Sequence, residues 1–214
     1  MLTLHAHPLS SFCMKVEMAL YENATPFRFE LVELGEPASR DRFLGLWPLG
    51  KIPVLRDEAR GVTVPETSAI LEYLSLHYPG PVALTPADAD LAWRARLAER
   101  IFDLHVQVPM QKIVGDNLRP ADQRDGFGVA QAREQLLTSL DFVEREIAGR
   151  SWALGEALTV ADCAAAPALY YADKVLPFAA THPQAFAYLE RLEARPSFAR
   201  ALKEAEPYLA LFPA

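Results

Sequence analysis

At 214 residues, half of them hydrophobic (51%), the chain is long enough to bury a substantial core in one large or two small domains. Its formal net charge of −7, from 21 basic and 28 acidic side chains, excludes a general nucleic-acid binder, which needs a basic face. Two cysteines, Cys13 and Cys163, are too few for a disulfide framework, and with no apolar run near membrane-span length and no leader-like N-terminus a soluble cytoplasmic protein is expected.

Leu2, Leu4 and Ala6 alternate as in a strand, and Phe12, Val16, Ala19 and Leu20 recur at helical spacing. Residues 2–6 therefore read as a strand and 11–22 as a helix, joined by the turn Pro8-Leu9-Ser10-Ser11. The start of that helix presents unpaired N–H groups and the positive end of a dipole, which suit a small anion such as a thiolate. A serine hydroxyl there can donate to the same anion, although a serine before a helix is also an ordinary N-cap worth ~1 kcal/mol. Asn23, tolerant of the left-handed conformation, is the expected C-cap. Phe27-Arg28-Phe29-Glu30-Leu31 alternates as a strand with one wet face, so strand, helix and strand form a right-handed βαβ unit with parallel strands. A short helix is expected near 39–44.

Val54 and Leu55 begin a strand that turns over 57–61 and returns through Val62-Thr63-Val64 as a hairpin. Pro53 enters this strand from a turn, a place where cis peptides occur. A cis bond would free the N–H and C=O of Ile52 to pair with an extended peptide ligand; a trans proline at a strand start is the plainer alternative. Pro65-Glu66-Thr67-Ser68 precedes a helix with Ile70, Leu71, Leu74 and Tyr78 on its apolar face. The amides of Thr67 and Ser68 suit a carboxylate and Glu66 suits an ammonium, or the segment is only a cap. Residues 78–90, rich in Pro, Gly and Asp, read as a linker. Everything beyond reads as helix: 91–108, 125–148, a helix opened by Leu158-Thr159-Val160-Ala161-Asp162, then 186–194 and 197–204. Thr159 and Asp162 have capping-box spacing, with Leu158 and Cys163 as the staple. Tyr208, Leu211 and Phe212 are too apolar for a free tail.

This order of parts resembles the cytosolic glutathione S-transferases, of the bacterial type with a serine in the active site. The resemblance covers essentially the whole chain. It is carried by Ser10-Ser11-Phe12-Cys13-Met14-Lys15-Val16, Gly50-Lys51-Ile52-Pro53-Val54-Leu55, Glu66-Thr67-Ser68-Ala69-Ile70 and the Leu158–Asp162 capping signature. It implies an α/β thioredoxin-like, glutathione-binding domain over 1–78, a linker over 79–90 and an all-helical domain over 91–214. It also implies a homodimer with glutathione as co-substrate and no metal, detoxifying small hydrophobic electrophiles by conjugation.

The site residues follow from the same resemblance. Ser10, or Ser11 where many members have proline, contacts the sulfur. The backbone of Ile52 pairs with the cysteinyl part of glutathione, Pro53 is the cis proline, and Lys51 meets the glycyl carboxylate. Glu66 and Thr67 hold the γ-glutamyl end, Thr67 keeping the hydroxyl of the usual serine. Trp47 departs from a common Asn. Walls for the electrophile, expected between the domains, are Leu9, Phe12, Phe102, His105, Val106, Met110, Tyr208 and Phe212. A glutathione-dependent isomerase of the maleylacetoacetate type shares the fold and the Ser-Ser start, and a non-catalytic interaction protein is the other alternative. A thiol reductase would carry cysteine at position 10, a thioredoxin a Cys-x-x-Cys, and a serine hydrolase a His/Asp pair. Cys13, one helical turn beyond Ser10, is the thiol placed for any redox role.

Overall fold

A computed structural model describes residues 1–213. They form two compact units, one of Met1–Leu84 with Ser197–Leu209, the other of Thr85–Pro196 with 210–213.

The first unit is thioredoxin-like. It runs β1 (Leu2–Ala6), α1 (Ser11–Glu22), β2 (Phe27–Leu31), α2 (Pro37–Leu46), β3 (Val54–Asp57), β4 (Val62–Pro65) and α3 (Thr67–His77), with strand order β2-β1-β3-β4. β1 is the central strand, parallel to β2 and antiparallel to β3. Leu2, Leu4 and Ala6 are buried on one face and Thr3 on the other, as a strand covered on both sides requires. β2 lies at the edge, with Phe27 and Phe29 half-buried and Arg28 and Glu30 exposed, the expected wet face.

Asn23 follows α1 as expected, but its φ of −96° is not left-handed; Ala24 takes that role with φ 48°. The Asn23 side chain is recruited elsewhere, its Oδ1 accepting the N–H of Val82 at 2.9 Å. Gly80 is required beside it, since a Cβ there would come within 2.4 Å of the Asn23 Cβ. α2 is longer than its pattern suggests because Glu36 caps it, its carboxylate accepting the N–H groups of Ala38 and Ser39 ahead of Pro37 in the first turn.

The unit is completed from the other end of the chain. α9 (Pro196–Ala205), which sequence order would group with the helical half, folds here. The Ser197 hydroxyl donates to Glu22 at 2.5 Å, the Tyr21 hydroxyl donates to Glu204 at 2.5 Å, and the Arg200 guanidinium sits 4.0 Å above the Tyr21 ring.

The second unit is all-helical: α4 (Ala89–Ile101), a π-helical stretch (Phe102–Gln107), α5 (Val108–Asn117), α6 (Gly126–Ile147), α7 (Val160–Val175) and α8 (Pro183–Glu193). The helix expected to end at Val108 does not stop there: the π-helical stretch passes directly into α5, which holds Pro109 near its start. The Thr159 capping box is complete: its hydroxyl accepts the N–H of Ala161, and Asp162 accepts the N–H of Thr159 at 2.7 Å. Asp162 also accepts from the N–H of Ala153 at 2.8 Å and the Tyr188 hydroxyl at 2.5 Å. Of the apolar tail, Phe212 stacks on Tyr171 at 5.1 Å, whereas Leu211 is exposed.

Candidate functional site

Strand register decides which loops meet. β1 and β3 are antiparallel, with His5 opposite Val54, and β4 returns so that Pro65 is opposite Val54. The exit of β1, the entry of β3 and the exit of β4 therefore share one end of the sheet. That end gathers the turn leading to Ser10, the Ile52-Pro53 segment and Glu66-Thr67. It also gathers the N-termini of α1 and α3, whose unpaired N–H groups favour anions.

Ser10 occupies the N-cap position of α1 with extended backbone, but its side chain makes no capping bond. Its C=O receives the N–H groups of Cys13 and Met14, both at 2.9 Å, so the helix starts without help from the hydroxyl. Ser10 is half-buried while Ser11 is buried in the first turn. Cys13 is fully buried. Burial, followed by the nearby Glu17 carboxyl, pushes its thiol up to about 12, against weaker lowering by the Ser10 hydroxyl and the His7 backbone. Held protonated and buried in this way, the Cys13 thiol has little of the thiolate character and access that redox chemistry uses.

The Ile52-Pro53 peptide is cis. Among the described residues neither the N–H nor the C=O of Ile52 has a hydrogen-bond partner. Pro53 is buried and Lys51 is exposed beside it. Trp47, in place of the common Asn, ends α2, and among the described residues its buried indole N–H meets no hydrogen-bond partner.

Glu66 precedes α3 with φ 66° and ψ 120°, rarely adopted by a residue with a Cβ. Such a backbone costs roughly 1–3 kcal/mol and clusters at ligand-binding positions. Its carboxylate is exposed and caps nothing. Thr67 is buried, and its Oγ1 accepts a hydrogen bond from the Lys15 ammonium at 3.1 Å. Because the oxygen accepts, the hydroxyl proton is free to point to another acceptor. Lys15, 1% exposed on α1, is a partner of Thr67 to which the sequence reading gave no role. Its place among the apolar positions of α1, one residue before Val16, is the signal that could have found it.

The expected walls for a second substrate divide. Leu9, Phe12 and Tyr208 are half-buried in the first unit. His7, three residues before Ser10, meets the Tyr208 ring edge-on at 4.9 Å. Its Nδ1 accepts the N–H of Leu9 at 3.1 Å, and its C=O accepts the N–H of Ser10 at 2.9 Å. Burial holds the His7 imidazole below the usual histidine range, against an opposing pull from Glu33. In the second unit Phe102, Val106 and Met110 are buried core residues, whereas His105 is exposed. The structure does not bring His105 onto the face of Phe102 and Val106. The π-helical stretch re-registers the turn, so spacing counted on an α-helix misplaces its residues. Phe212 stays with Tyr171. Glu99, Asp103 and Gln107 are buried along α4 and the π-helical stretch, and Arg100 binds Asp103 at 3.1 Å.

Comparisons with known proteins match both halves of the chain to one family. The family model for the glutathione S-transferase N-terminal domain matches residues 4–82, and that for the C-terminal domain matches 111–191. A glutathione S-transferase of Pseudomonas putida is 28% identical, over 99% of this chain and 96% of its own. FtsZ-localized protein A of Caulobacter vibrioides is 30% identical, over 97% of this chain and 93% of its own. A glutathione S-transferase of Methylobacterium radiotolerans, solved in complex with glutathione sulfonate, superposes with a TM-score of 0.82 at 31% identity, covering 94% of this chain and 93% of its own.

Proposed function

This chain belongs to the glutathione S-transferase family and is a glutathione transferase, and from that premise we propose that it joins the glutathione thiolate to small hydrophobic electrophiles. The observation that carries the reading is the Ser10 hydroxyl, set at the start of α1 and unused as a cap. Ser10 is the sulfur contact; Ser11, buried in the helix, is the less accessible of the pair. The cysteinyl backbone of glutathione pairs with Ile52, and its glycyl carboxylate meets Lys51. Its γ-glutamyl end is held by Glu66, the Thr67 hydroxyl and the amides opening α3, with Lys15 orienting Thr67.

A free thiol, with a pKa of ~8.5, is mostly protonated at neutral pH, and the thiolate is the nucleophile. Lowering that pKa by about two units takes ~2.7 kcal/mol. A hydrogen bond to a charged group supplies ~1.5–3 kcal/mol and the helix N-terminus ~0.3–1 more. The thiolate attacks an electrophilic carbon beside Leu9, Phe12 and Tyr208, whose apolar surfaces keep it poorly hydrated. A homodimer is the working assembly. Leu91, Trp93, Leu97 and Phe142 supply an exposed apolar face on α4 and α6, lining a hollow of about 490 Å³ that a second copy would cover. The protein works in the cytoplasm, in keeping with two free, buried cysteines. Among the described residues no helix is long and apolar enough to cross a membrane.

The test is a titration of thiolate absorbance with glutathione bound. The bound thiol is expected about two units below free glutathione in the wild type and to return most of the way in Ser10→Ala, with conjugation slowed about tenfold or more. An unshifted thiol in the wild type would leave a binding protein, and an unchanged shift in the variant would remove Ser10 from the role.

A further inference from the structure

We propose that His7 donates a hydrogen bond to the carbonyl oxygen of the second substrate and so favours α,β-unsaturated carbonyl compounds among electrophiles; this rests on the transferase reading above. The ring's tautomer is set by its surroundings. Nδ1 accepts the N–H of Leu9 at 3.1 Å, so in the neutral imidazole the proton is on Nε2. The ring is half-exposed, and among the described residues Nε2 meets no hydrogen-bond partner. The Tyr208 ring closes one side of it at 4.9 Å. The His7 carbonyl accepts the Ser10 N–H at 2.9 Å, which fixes the imidazole and the Ser10 hydroxyl in the same tight turn. A donor N–H thus belongs to the same turn as the hydroxyl assigned to the sulfur, and its ring packs on Tyr208, one of the groups assigned to the electrophile.

The plainer role of His7 is to hold its turn, but that role uses Nδ1 alone. What remains is a neutral donor, the group an enolate needs. As the thiolate sulfur forms its bond to the β-carbon, the C=C pair moves onto the carbonyl and charge collects on oxygen. The Nε2–H stabilises that oxygen and keeps its proton, since giving it up would create an imidazolate. The α-carbon then takes a proton from water, which balances the one lost by the thiol on ionising. Displacement of halide from a benzylic carbon gathers no charge on a carbonyl oxygen and gains nothing from the same donor.

The experiment compares kcat/KM for an alkyl vinyl ketone and for benzyl chloride in the wild type, His7→Asn and His7→Gln. The Asn oxygen can still accept the Leu9 N–H but carries no donor at the Nε2 position; Gln can return a donor there. In His7→Asn the ketone-to-halide ratio is expected to fall about 10- to 100-fold, the worth of one donor at a developing oxyanion, and His7→Gln is expected to recover most of it. A proportional loss on both electrophiles would make His7 a turn residue only and overturn the proposal, as would an unchanged ratio. A wild type inactive on both electrophiles would overturn the transferase reading itself, and the role of His7 with it.

Discussion

The helices α1 and α7 both start with a hydroxyl at the N-cap, and they use it in opposite ways. At α7 the Thr159 hydroxyl accepts a backbone N–H and Asp162 closes the box, with Ala153 and Tyr188 filling the rest of the carboxylate. At α1 the Ser10 hydroxyl caps nothing, and two turns further on the fully buried Glu17 carboxyl has, among the described residues, no hydrogen-bond partner on either oxygen. Satisfied polar groups specify a fold, whereas unsatisfied ones near a surface are available to a ligand. The contrast separates a helix start closed by its own side chains from one whose hydroxyl is left off the backbone.

The strongest way to break the comparison is Asp162→Ala. It strands the Tyr188 hydroxyl and the N–H groups of Ala153 and Thr159, and should cost about 3–5 kcal/mol in urea unfolding. A loss below about 1 kcal/mol would mean that the box is ornamental.

Glu17 gives the next largest effect, and it depends on pH. Burial, then repulsion from Glu204, raises its carboxyl to about 8 against an opposing Arg200. Folded protein therefore keeps a proton that unfolded chain releases near 4.5. Stability from this group is full below 4.5 and falls as pH rises to about 8, by at most about 1.4 kcal/mol per unit. Relaxation around the buried charge should reduce the total to about 2–3 kcal/mol. Glu17→Gln has no proton to lose, so it should match the wild type at pH 4 and exceed it by about that amount at pH 9. Parallel stability curves for the two proteins would show that Glu17 is ionised in the fold.

The smallest effects sharpen the contrast most directly. Thr159→Ala should lower stability by about 1–2 kcal/mol, and Ser10→Ala by less than about 0.5, in the same thermal unfolding assay. Equal losses would make Ser10 a cap after all.

Much of this was legible in sequence because it is local. Alternation in Leu2-Thr3-Leu4 and in Phe27–Leu31, the hairpin after Pro53 and the Thr159/Asp162 spacing each place an element within a few residues. The sheet end that collects Ser10, Ile52 and Glu66 follows once those elements pair. What escaped depends on distant partners or on unusual local geometry. Lys15 looks like a surface lysine until Thr67, 52 residues away, is known to receive it. His7 reads as a loop residue until Tyr208 closes on it. The π-helical stretch rotates His105 away from its expected face, and Glu36, an uncommon cap, lengthens α2. The positive φ of Glu66 has no composition signal, because glycine is the residue that normally announces one.

The return of α9 to the first unit has a consequence for how the molecule is made. Synthesis proceeds from the N-terminus, and domains generally fold as they emerge. Here Met1–Leu84 lacks Ser197–Leu209, and with them the partners of Tyr21 and Glu22, until nearly the whole chain has left the ribosome. The helical unit, second in order, has most of its residues in hand by Pro196. The thioredoxin-like half is therefore begun first and completed last, and a fragment cut after Leu84 is an unfinished domain rather than a small one.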